Sequence, residues 1–244
     1  MQIMKERINS MNTVALNKVR AIYYGLFSSL FSYINSEKDF NNIKQSIELL
    51  SQAPIDENSK TSFDEITSFL NEKGMDGLID ENNQIFYSPS TTFIPVTASF
   101  YNEDRDDGQK RVEMTNIVLK SIYRRDNTNF KEAEDHVCFI FNFIQKLLEQ
   151  DYSKIDNKLV VETFSVVLNS FIDSFIQDVY NHEDSHFYKN IAVILKVFVE
   201  LERTLLNIKK PIEHKVRKQY EIFHKKRKSF TKRAKRNFDE ISSL

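Results

Sequence analysis

Between Val137 and Leu148 the apolar residues Val137, Ile140, Phe141, Ile144, Leu147 and Leu148 recur at spacings of three and four. That spacing lays them in one stripe along a helix, and a stripe of this kind needs other apolar surface to cover it. The segment leading into it is polar. Asn129 followed by Glu132 resembles a capping box, and Glu132, Glu134 and Asp135 fall where the first turns would begin. Backbone N–H groups and the helix dipole favour negative charge there. The expected element is a helix over 129–150 with an acidic, His136-bearing start: a polar cluster at the end of a core helix.

The same periodicity recurs along the chain. A long helical segment is expected over 3–35, with Val14, Ala15, Val19, Ile22, Leu26 and Leu30 on one face; its stretch Arg20 to Phe31 is apolar nearly all round and belongs deep in a bundle. Shorter amphipathic helices follow at 39–52 and 61–73, the second ended by a loop at Gly74–Gly77. Pro89 and Pro95 punctuate a Ser/Thr-rich run, so 80–100 reads as an irregular connection. Helices are expected again at 106–124, 158–180 and 186–207, with a polar linker at 124–130. Pro211 restarts a helix directed towards Phe238. With only four glycines and four prolines in 244 residues, the tight turns of β-rich folds and the glycine loops that cradle phosphate are disfavoured. Twenty phenylalanines and no tryptophan suit a core of packed helices. The fold class is all-α, in one bundle-like domain over 1–207 with a protruding basic C-terminal helix over 208–244.

That division is one of charge. Residues 209–236 hold 13 Lys/Arg against Glu213 and Glu221, a local net charge of +11, while the whole chain carries −1. An acidic body therefore bears a basic tail. The tail has the charge density of a nucleic-acid or anionic-lipid binder. Its aromatics Tyr220, Phe223 and Phe230 are sparse and match no RNA-binding module. The plainer reading is a solvated helix. If the tail acted on nucleic acid, binding would fall steeply with salt and vanish on deletion of 209–244.

Chemistry-bearing patterns are few. His182-Glu-Asp-Ser-His186 has the letters of a zinc-protease motif, but that chemistry needs both histidines on one helix face. Here the string falls in an interhelical turn, and 189 and 192 are Lys and Ala. Cys138 is the single cysteine, which excludes an intramolecular disulfide and a cysteine zinc cluster. His136 is two positions away, a spacing that on a helix does not bring side chains together, so Cys138 reads as a small core residue. No catalytic residue, metal ligand or cofactor site is expected. No apolar run approaches the roughly 18 residues of a transmembrane helix, and the first residues do not form a secretory signal, so a soluble cytoplasmic protein is expected.

Several stretches in order resemble the TorD/DmsD/NarJ family of cytoplasmic chaperones for molybdenum-enzyme subunits. Phe93-Ile-Pro95-Val-Thr-Ala-Ser99-Phe-Tyr101 is similar to the family's Pro-containing stretch ending in Ser-x-Tyr. Glu132-Ala-Glu-Asp135-His136-Val137 is similar to its Glu-x-x-Asp-His-(Ile/Val), with Ala133 where Pro is usual. Arg20-Ala-Ile-Tyr23 and Phe187-Tyr188 resemble the openings of its first and last core helices. Asn142, Val167 and Phe171 depart from the family pattern.

The resemblance implies an all-α protein without catalysis or cofactor. It would bind the twin-arginine signal peptide, or the apo-subunit, of a molybdenum or tungsten oxidoreductase such as formate dehydrogenase or a TMAO/DMSO-type reductase, delaying export until the cofactor is inserted. Glu132, Glu134 and Asp135 would attract the arginines and His136 would hydrogen-bond peptide backbone; alternatively Asp135 and His136 cap and pin the linker. Phe93, Pro95, Ser99 and Tyr101 would line the groove or fix its shape. No specific nucleic acid and no membrane insertion are expected of such a protein, and its long terminal helices could support a homodimer. The alternative is a helical nucleic-acid- or membrane-surface-binding protein acting through the basic tail.

Overall fold

The structure, a computed structural model, describes residues 12–126 and 132–211. The start of the first expected helix, the linker centre at 127–131 and the basic tail beyond Pro211 lie outside the described residues. The described residues form nine α-helices and no named strand: α1 Thr13–Leu30, α2 Glu37–Ser51, α3 Glu57–Phe86, α4 Ala98–Glu103, α5 Gln109–Leu119, α6 Val137–Gln150, α7 Lys158–Glu162, α8 Ile172–Asn181 and α9 Phe187–Leu205. The all-α expectation holds.

Helices α1 and α6 lie along one another, and α9 packs on α3 and α8. Between them sits a block of rings. Phe198 of α9 meets Tyr23, Tyr24 and Phe27 of α1 at 4.9–5.5 Å, while Phe141 of α6 meets Tyr24, Phe27 and Phe31. Offset and edge-on contacts of this kind add about 0.5–1.5 kcal/mol each beyond area burial. The expected stripe of α6 is fully buried. That of α1 is broader than expected: Leu26 and Leu30 are buried and Val19 and Ile22 pack on the core, but Val14 and Ala15 are exposed, and the buried face also takes in Leu16, Arg20, Tyr23, Tyr24 and Phe27. The cause is Arg20. Its Nε and Nη2 donate to Glu202 Oε1 and Oε2 of α9 at 2.6 and 2.7 Å, with both side chains wholly buried. Tyr24 Oη donates to the same carboxylate at 2.8 Å, and Arg20 Nη1 donates to Asn17 Oδ1. The deep placement expected for Arg20 to Phe31 holds, but a periodicity argument that counts only apolar residues gives the arginine itself no place on the buried face.

Two further boundaries differ from expectation. The helix after Pro54 does break at Gly74, but a second helical run follows at once and reaches Phe86, so the irregular connection is 87–97 rather than 80–100. Gly74 absorbs the change of direction with φ 60° and ψ −151°, a conformation open essentially to glycine alone. The kink lets Glu81 reach the start of α9, where its Oε1 accepts from the backbone N–H of His186 and of Tyr188 at 2.8 Å each. The expected helix over 158–180 is broken: Thr163–Val167 is a π turn and Leu168–Ser170 a 3-10 turn before α8 resumes. Among the described residues no single helix is long and apolar enough to cross a membrane; the bent pair 158–170 and 172–181 passes that test only jointly, and Phe164, Val167, Leu168, Ile172 and Phe175 on it are buried.

Replacing Arg20 by Met strands the Glu202 carboxylate in the core. A loss of about 3–5 kcal/mol is expected in urea unfolding, and Arg20→Met/Glu202→Leu together should recover part of it. Gly74→Ala has open space for its methyl group, yet about 1–3 kcal/mol is expected from the backbone alone by the same measurement.

Candidate functional site

The connection 87–97 and the linker meet in front of α6. Val137 N–H donates to Val96 O at 2.8 Å and Ala98 N–H donates to Asp135 O at 3.0 Å, with Thr97 and His136 paired as an isolated antiparallel bridge. Two helices therefore start from one strap: α4 from one of its two segments and α6 from the other. Asp135, wholly buried, accepts the Ser99 N–H at 2.9 Å through Oδ2. It thereby caps α4, whose own N-cap Thr97 makes no side-chain cap bond. Ser99 Oγ accepts in turn from the Arg111 N–H at 3.3 Å.

Helix α6 begins at Val137, eight residues later than the expected start at Asn129, and no acid lies in its first turn. Its N-cap is His136, whose Nδ1 accepts from the Cys138 N–H at 3.2 Å and lies 3.0 Å from Cys138 Sγ. The two side chains do meet, contrary to the spacing argument, because His136 stands outside the helix with extended backbone. Burial lowers the imidazole from its ordinary range to about 4. The same cause pushes the Cys138 thiol up. Neither group is charged at neutral pH, so this pair is no thiolate nucleophile. With Nδ1 accepting, the proton sits on Nε2, which is 3.8 Å from Glu132 Oε2.

His136 lines a groove of about 270 Å³ together with Phe93, Pro95, Val96, Thr97, Phe100, Asp106, Asp107, Glu132 and Ala133. Of the residues singled out in the sequence, Phe93, Pro95, Glu132 and His136 are brought together in it. Asp135 and Ser99 lie beneath, in the strap. Glu134 sits to one side between Arg111 Nε at 2.8 Å and Arg125 Nη1 at 3.1 Å. Burial raises the Glu134 carboxyl, but the Arg111 hydrogen bond and the Arg125 charge outweigh it and hold it below the usual carboxylate range. Tyr101 does not line the groove; its hydroxyl donates to Asp178 at 3.0 Å and its ring packs on Phe171 and Phe175.

Asp106 and Asp107 were not singled out. The signal was present in Glu103-Asp-Arg-Asp-Asp107, an acidic run ahead of Gly108. It placed no residue near Glu132, because only the Thr97–His136 pairing folds that run against the linker. Asp107 is engaged by Arg111, and Asp106 accepts from the Thr97 hydroxyl at 2.9 Å. Among the described residues Asp106 and Glu132 meet no cation. The groove is thus acidic at its rim and apolar along Phe93, Pro95, Val96 and Phe100. The zinc-like string carries no such site: His182 Nδ1 accepts from the Asp184 N–H, its Nε2 donates to Thr92 O at 3.0 Å, and no cluster among the described residues could hold a metal ion.

A family model described as nitrate reductase delta subunit matches residues 52–181, just over half of the chain. The chain belongs to that family. Membership agrees with the resemblance to the TorD/DmsD/NarJ chaperones, and the matched segment holds the whole strap and groove. A crystal structure from Archaeoglobus fulgidus, described as a redox enzyme maturation protein, is similar in fold at a TM-score of 0.50. It is 18% identical in sequence, and the likeness covers 74% of this chain and 91% of that one. No curated protein matches the chain in sequence.

The neutral state of His136 fixes a pH dependence. The folded value of about 4 lies below the ordinary 6.5, so between these the unfolded chain binds more protons and stability falls as pH drops through that window. The full effect is of order 3 kcal/mol. Urea unfolding from pH 7 to pH 4 should show a shallower loss in His136→Gln than in the wild type. Asp135→Ala should cost about 1–2 kcal/mol at pH 7 through the lost α4 cap.

Proposed function

We propose that this member of the nitrate reductase delta subunit family is a redox-enzyme maturation chaperone whose groove receives a cationic, then apolar, segment of its client. The client is a molybdenum or tungsten oxidoreductase, and the segment is its twin-arginine signal peptide. The observation that carries this reading is the pairing of two carboxylates that meet no cation among the described residues, Asp106 and Glu132, with an apolar wall of Phe93, Pro95, Val96 and Phe100. An acidic rim attracts the arginines and steers the encounter, while the wall takes the apolar residues that follow them.

The groove residues divide the work. Glu132 and Asp106 supply charge, and His136 offers its Nε2–H to a peptide carbonyl without adding a positive charge that would repel arginine. Asp135 and Ser99 keep the strap in register, and Glu134 fixes the linker through Arg111 and Arg125. No group is arranged for catalysis in this reading; binding alone delays export until the client has its cofactor.

The test is titration of the purified protein with twin-arginine signal peptides from candidate molybdoenzymes, followed by calorimetry. Saturable binding to one of them is expected, weakened about tenfold or more in Asp106→Asn/Glu132→Gln and weakened by Arg-Arg→Lys-Lys in the peptide. A folded protein that binds none of the peptides overturns the proposal.

A further inference from the structure

Beside the groove stands an aromatic pair that packing does not explain. Tyr33, just past the end of α1, and Tyr87, the C-cap of α3, contact each other edge to face at 5.4 Å. They remain 55% and 46% exposed, in a protein whose other tyrosines and phenylalanines are mostly interior. Neither hydroxyl donates to any described residue in a hydrogen bond. Elsewhere on the surface, lysines already lie over the rings of Tyr152, Phe69 and Tyr180. Among the described residues no cation lies over Tyr33 or Tyr87.

The chain path puts this pair next to the acidic rim. Tyr87 ends the helix from which the groove-lining connection 88–97 departs. The last turns of α1 lie against the first turn of α6, where Ser28 Oγ donates to Cys138 O at 2.9 Å. Cys138 in turn touches His136, and His136 faces Glu132. The Glu132 carboxylate is near enough for its charge, after burial, to help raise the Tyr87 hydroxyl to about 12.

We infer that Tyr33 and Tyr87, with Glu132 beside them, form a subsite for one arginine guanidinium of the client, stacked on the exposed ring and paired with the carboxylate. A guanidinium is planar and weakly hydrated, so it stacks on an aromatic face more readily than an ammonium does and still pairs with a carboxylate. The subsite rests on the reading of the groove as a cationic-peptide site and adds to it the reason for choosing arginine over lysine. Asp106, across the groove, is left for the second cation.

The experiment uses two probes on the full chain, N-acetyl-arginyl-arginine amide and its lysyl-lysine counterpart, followed by NMR of the tyrosine rings. The arginine probe is expected to shift the Tyr33 and Tyr87 ring signals saturably and to bind about five- to tenfold more tightly than the lysine probe. Tyr33→Leu/Tyr87→Leu should abolish that preference, Tyr33→Phe/Tyr87→Phe should keep it, and Glu132→Gln should weaken both probes. Arginine and lysine probes of equal affinity, or an unchanged preference in the Leu variant, overturn the subsite. So do ring shifts that follow protein concentration without a probe, which mark a self-association surface. The outcome is separate from that for signal peptides. Peptide binding with an unaltered preference in the Leu variant sinks the subsite alone, whereas a guanidinium response without signal-peptide binding sinks the chaperone reading alone.

Discussion

The pairing of Arg20 with Glu202 ties the first described helix to the last across 182 positions of sequence. Both groups are fully removed from water, a state that costs several kcal/mol per ion unless every lone pair and proton is satisfied. Here Arg20 engages both carboxylate oxygens, Tyr24 donates to one of them as well, and Asn17 accepts from the remaining guanidinium edge. Asn17 is itself held, through Nδ2, by the carbonyls of Tyr152 and Lys154. A polar knot of this sort does less to raise stability than to choose one arrangement of α1, α9 and the loop after α6. Rings alone tolerate many packings; a buried bidentate pair tolerates one. The strap and groove inherit that choice, because α6 lies along α1 and starts at the strap.

The strap is the second constraint. One short antiparallel exchange, Val137 to Val96 and Ala98 to Asp135, brings together two segments about 40 residues apart and makes the start of α4 and the start of α6 parts of one object. His136 and Asp135 serve this object first, one capping each helix. The alternatives of binding residue and linker pin are therefore unequal for the two. Asp135 is wholly enclosed and holds the shape of the strap, whereas His136 shows one nitrogen to the core and the other to the groove.

The helical class, the core stripe of α6 and the segment that carries the strap were all legible in the sequence, because each depends on local periodicity or on a short ordered pattern. What was hidden depends on long-range partners. The polar part of the α1 face was hidden because an arginine has no reason to point inward until Glu202 is known. The start of α6 was hidden because the acids at 132–135 suit a helix N-terminus equally well from inside it or just ahead of it. The break at Gly74 was legible, but the helix that resumes behind it was not, since the sequence of a kink and of a helix end is the same until Glu81 has a helix to cap. Asp106 and Asp107 joined the site only through the fold of the strap. Family membership could be read because its residues occur in order, although no single motif carries it.

The kink at Gly74 also has a meaning for how the chain can vary. Glu81 must meet the two N–H groups at the start of α9, so the seven residues after the kink act as a ruler. Inserting or deleting one residue between 75 and 80 would turn Glu81 by about 100° around the helix axis and leave those donors buried without an acceptor. A change of length at 88–92, in the exposed part of the connection, turns nothing. This chain can thus lengthen the approach to the groove without cost to the helix behind it, whereas the count of residues between the kink and Glu81 is fixed.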